Sequence, residues 1–128
     1  MVTGKQRQLV ETIAKDARVE SDELEALSRE FGDGSKITRD EADLLVELFK
    51  RVERKGPGFE DYFYRAIENY TINQGTVNAE LASWLRRLFL SNGVCSERQR
   101  KALHQIKGHL KEVSPEFRTL FDDCMRSV

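Results

Sequence analysis

Proline occurs only at Pro57 and Pro115, and cysteine only at Cys95 and Cys124. With so little proline, helices can run uninterrupted over most of the chain, and each proline reads as punctuation between helical patterns. Two cysteines without a framework of spacings do not make a disulfide scaffold. A reduced, cytoplasmic compartment fits them best, although the two can pair if they meet in space. No stretch approaches the length of a membrane span, which excludes membrane insertion. The opening MVTGKQRQLVETIAKD lacks the uncharged apolar core of a signal peptide. Period-2 runs of β-branched residues between turn signals are missing, which excludes a sheet. Charge of one sign is missing too: the net value is −1. No general attraction to nucleic acid or membrane is therefore built in. No serine, cysteine or lysine stands in a nucleophile motif, so the residues point to a protein that is not an enzyme.

What the chain does have is charge of both signs and helical periodicity. Charged residues make up 34% and hydrophobic residues 39% of the 128 positions. That is the composition of a surface-charged helical domain with enough chain for a core. The clearest stretch is Phe31 to Phe49. Gly32 and Gly34 can turn the chain with positive φ. Ile37 precedes Thr38, an N-cap residue, and Glu41 lies three residues on, so Thr38-x-x-Glu41 is a capping box with Ile37 and Ala42 at its staple positions. Leu45, Leu48, Phe49 and Val52 continue as an apolar face. The design recurs at Gly75-Thr76-Val77-Asn78 and at Gly93-Val94-Cys95-Ser96, each leading into a helical face.

Taken in order, Lys5 to about Arg18 reads as a helix, and Ser21 or Asp22 can cap a second one ending at Phe31. The third runs from about Arg39 to Lys55, where Gly56-Pro57-Gly58 stops it. The fourth carries Phe59, Tyr62, Phe63, Ala66, Ile67 and Tyr70. Helices over Ala79 to Leu90 and Glu97 to about Val113 follow, and Ser114-Pro115 starts the last. The expectation is an all-α, single-domain bundle of six or seven helices spanning residues 1–128.

Candidate sites are few. An EF-hand at Asp33-Gly34 fails, because Arg29 and Phe31 would occupy positions that need oxygen ligands. A looser divalent-metal site has Asp33, Asp40 and Glu41 as ligands, with Asp43 and Glu47 nearby. The alternative for Asp40, Glu41 and Asp43 is that they offset the positive end of the helix dipole. His104 and His109 are five apart, which puts them on different helix faces and argues against a metal clamp. Arg98, Arg100, Lys101, Lys107 and Lys111 make one helix basic, without any nucleic-acid motif beside it.

The pattern Asp33-Gly34…Ile37-Thr38-x-x-Glu41-Ala42-x-x-Leu45-x-x-Leu48 resembles the tellurite-resistance TerB-like helical domains. The resemblance spans roughly Leu9 to Leu110, with Asn92-Gly93-Val94-Cys95-Ser96 as the later copy of the motif. It implies about seven helices, a cytoplasmic location, no catalysis, a link to metal-stress responses and an acidic metal-binding surface. Asp33 and Glu41 match that pattern, whereas Asn92 stands where a second aspartate belongs and Gln74 precedes the middle glycine. The functional expectation is a non-enzymatic binding module of this type whose partner is another protein. The alternative is a small inhibitor or adaptor of the immunity or phage-antagonist kind.

Overall fold

The computed structural model describes residues 2–16, 18–32, 36–53, 56–90 and 93–126, with the side chains of residues 56 and 57 left aside. Among them the chain is all-α, with seven helices and no β-strand. They are α1 (Gly4–Asp16), α2 (Ser21–Phe31), α3 (Arg39–Arg51), α4 (Gly56–Asn73), α5 (Ala79–Phe89), α6 (Glu97–His109) and α7 (Pro115–Arg126). The fold comprises two compact units, Met1–Tyr70 and Thr71–Val128, divided within α4.

In the first unit α1 packs on α2 and α3. Its apolar stripe, Val10 and Ile13, is fully buried with Leu27, Ala42, Leu45 and Leu48. Spacings of three and four place each set on one helical face, so burial follows from the periodicity. Phe49 and Phe63 stack with ring centroids 4.1 Å apart, and Tyr64 meets Phe49 edge-on at 5.5 Å. A Cβ at Gly58 would lie 3.0 Å from Leu24 Cδ2, so a larger residue there requires that leucine side chain to shift. The hydroxyl of Tyr62 donates to the Gly32 carbonyl at 2.8 Å, fixing the turn that leaves α2.

Several helix ends differ from the sequence expectation. α2 is capped at Glu20 rather than Ser21 or Asp22, and the Glu20 amide donates to the Glu23 carboxylate at 3.0 Å. α3 ends at Arg51, because Val52 turns to an extended conformation that buries its side chain. Gly56, Pro57 and Gly58, expected to lie between helices, form the first turn of α4. A proline costs nothing there, since first-turn amides have no partner within the helix. α6 stops at His109, and the Lys111 amide donates to the Gly75 carbonyl at 3.0 Å instead.

In the second unit α7 packs on α5 and α6. Phe117, Leu120 and Cys124 form its buried face together with Leu85, Leu103 and Ile106. The recurring turn is real: Gly32, Gly75 and Gly93 all have positive φ. The residue before each cap (Ile37, Val77 and Cys95) is buried. Val94, read as the apolar residue of the third turn, is instead 57% exposed, and Cys95 takes the inward position. The cysteines, for which a reduced compartment fitted best while pairing stayed open, are joined as Cys95–Cys124.

Among the described residues, ion pairs link helices within each unit. The Arg51 guanidinium donates to both oxygens of Glu11, at 2.9 and 3.3 Å. Arg86 and Arg126 both donate to Asp123. The hydrogen bond from Arg51 holds the Glu11 carboxyl below its usual range, and those from Arg86 and then Arg126 do the same for Asp123. A carboxylate whose pKa is depressed by folding contributes stability above its unfolded pKa and loses it as pH falls through the folded value. Thermal melts are therefore expected to fall below roughly pH 4. Asp123→Asn and Glu11→Gln should each flatten that decline; an unchanged acid limb in both variants would remove these pairs from the cause.

Candidate functional site

The start of α3 is built by its own residues. The Thr38 hydroxyl accepts from the Glu41 amide at 3.2 Å, and the Glu41 carboxylate accepts from the Thr38 amide at 2.9 Å. This is the capping box read from the sequence. The structure adds a long-range partner. The other oxygen of Glu41, Oε2, accepts from Gln6 Nε2 at 2.7 Å.

Gln6 is the residue that sequence reasoning missed. It is the third residue of α1 and closes a further capping box: its amide donates to the Thr3 hydroxyl at 3.1 Å, and its Oε1 accepts from the Thr3 amide at 2.9 Å. Its Nε2 donates both to Glu41 and to the Glu30 carbonyl, the latter at 2.9 Å. One buried amide thus ties together α1, the end of α2 and the start of α3. The signal was present as Thr3-x-x-Gln6, a capping-box pattern. The bonds to Glu30 and Glu41 span 24 and 35 residues and leave no local trace.

Beside this hub lies a cleft of about 500 Å³ lined by Val2, Arg7, Asp40, Asp43, Leu44 and Glu47. Asp40, Asp43 and Glu47 fall at spacings of three and four, so one face of α3 presents all of them. Asp43 also accepts from Arg39 at 3.4 Å, an exposed pair within the helix. Leu44 is buried, and Val2 and Arg7 complete the lining from the N-terminal part of the chain. The lining thus holds three carboxylates and one guanidinium, with Arg39 beside it paired to Asp43.

The sequence-derived metal ligands are placed as follows. Asp33 lies outside the described residues. Asp40 is exposed in the first turn of α3 and lines the cleft. Glu41 is half-buried, with each oxygen accepting a hydrogen bond from the fold. Coordination through Glu41 would compete with both bonds, so its surroundings fit a structural carboxylate better than a metal ligand. Among the described residues, the carboxylates able to converge within 4.8 Å are instead Glu20, Asp22 and Glu23. They sit at the start of α2, where Glu23 caps and Arg18 lies 3.5 Å from Glu20. Helix capping and a surface ion pair account for that group.

His104 meets the Phe121 ring edge-on at 5.0 Å, and His109 Nδ1 lies 2.9 Å from the Gln105 carbonyl oxygen. Lys107 rests over the Phe121 ring at 4.4 Å. No helix of the described residues is long and apolar enough to cross a membrane. No protein-family model matches the chain, and neither the curated proteins nor the solved structures offer a match.

Proposed function

We propose that the chain is a non-enzymatic helical binding module of TerB-like type, which takes a cationic side chain of a partner protein into the acidic cleft on α3. The observation that carries this reading is the grouping of Asp40, Asp43 and Glu47 around a concave surface that also holds Leu44 and Val2. A lysine or arginine is amphipathic: its stem packs on apolar surface while its head seeks carboxylates. The lining suits both halves. The resemblance sets such a module in the cytoplasm and in a metal or stress response. The same cleft would equally serve an inhibitor or adaptor that covers a basic surface, and the two roles differ in whether binding blocks the partner's activity.

The test is a titration of isotopically labelled protein with a lysine- and arginine-rich peptide, followed by amide resonances. The largest shifts should fall on the first two turns of α3. Asp43→Asn combined with Glu47→Gln should weaken binding about tenfold or more, since each lost charge-assisted contact is worth roughly 1.5–3 kcal/mol before exposure to solvent discounts it. Both residues are exposed, so the variant should fold normally. Affinity should also fall with added salt. Unperturbed α3 resonances, or equal binding by the double variant, would overturn the reading. Shifts produced by magnesium or zinc alone, without the peptide, would favour a metal role for the same carboxylates.

A further inference from the structure

We propose that Cys95 and Cys124 form a redox-controlled staple of the second unit, opened and closed by exchange with a small thiol such as glutathione. Cys95 immediately precedes the cap of α6, and Cys124 lies in the last turn of α7. Their Cα atoms are 5.5 Å apart, well within the span of a disulfide. The bond closes a loop across 29 residues and ties the start of α6 to the end of α7. The reduced state is also provided for. Cys95 Sγ lies 3.2 Å from the Phe89 carbonyl oxygen, an acceptor within reach of a thiol at that position. Both cysteines are fully buried, and a free cysteine is commonly buried as a small hydrophobe. Reduction removes the constraint that the bond places on the unfolded chain.

The exchange balances simply. A glutathione thiolate attacks one sulfur and forms a mixed disulfide while the other sulfur leaves and takes a proton. A second glutathione thiolate then displaces the protein sulfur, which is protonated in turn. Two electrons pass to the protein, and glutathione disulfide is released. Because Cys95 and Cys124 are 1% and 0% exposed, the attacking thiol must wait for the unit to open. The staple should therefore respond slowly when the unit is folded and quickly when it loosens.

The experiment equilibrates the whole chain in glutathione buffers from reducing to oxidising. Thiols are then counted by alkylation and mass after unfolding, and denaturant melts are recorded at each end. The oxidised protein should show neither cysteine alkylated, and the reduced protein both. Reduction should lower the folding equilibrium constant of this unit by roughly several hundredfold, the size expected for a loop of this length. Mild denaturant should speed the exchange. Cys124→Ala should melt identically in both buffers. If it fails to fold, the comparison of oxidised and reduced wild type decides alone. Oxidised and reduced protein melting alike, or both cysteines remaining alkylatable in the oxidising buffer, would overturn the proposal.

Discussion

Gln6→Leu should destabilise the first unit by about 2–4 kcal/mol, far more than its position in the first turn of a helix suggests. Leucine fills a similar volume, so packing alone predicts little change. The cost comes from hydrogen bonds. The Thr3 amide loses its acceptor, and the Glu30 carbonyl and Glu41 Oε2 lose their donor. Leaving a partly buried polar group unpaired costs roughly 1–3 kcal/mol, and more when it is charged. Gln6→Glu should be at least as damaging at neutral pH, because it turns the carboxylate of Glu41 toward another carboxylate. Urea denaturation of wild type and both variants measures this directly. If Gln6→Leu is neutral, the amide is a space-filler and the hub is wrongly drawn. The same geometry revises what the capping box implies for Glu41→Gln. A glutamine can cap Thr38, but its single oxygen cannot also accept from Gln6. The substitution should cost about 1 kcal/mol where capping logic alone expects almost nothing.

Phe63→Ala should cost about 3–5 kcal/mol, the range for truncating a buried aromatic ring. Phe63 is 0% exposed and stacks on Phe49. Phe59 lies at 6.4 Å and Tyr64 at 5.1 Å from the same ring. Removing it leaves a hole walled by aromatic rings on α3 and α4, which cannot collapse without moving a helix. Phe63→Leu keeps much of the volume and should lose substantially less. Comparison of the two separates the cavity from the stacking contribution. A Phe63→Ala loss under 1 kcal/mol would mean that this cluster is looser than its geometry implies.

Helix identity was legible in the sequence because it rests on short-range chemistry. The box at Thr38 and Glu41 joins residues three apart, and the apolar faces repeat within two turns, so neither needs a partner elsewhere in the chain. The acidic face of α3 was legible for the same reason, since Asp40, Asp43 and Glu47 are neighbours on any helix that contains them. What joins them in the cleft was not: Val2 and Arg7 are brought there by tertiary packing. Helix ends were misjudged where a buried side chain outweighed propensity, as when Val52 left α3 for the core. Gln6 drew no notice, because nothing near it in sequence reveals acceptors 24 and 35 residues away. Whether the cysteines pair was open for the same reason, their spacing of 29 carrying no signal until α6 and α7 pack together. Local hydrogen bonding and periodicity therefore determined the helices, while the partners of Gln6, Glu41 and Cys95 were decided by tertiary packing, because only packing brings groups so distant in sequence within bonding distance.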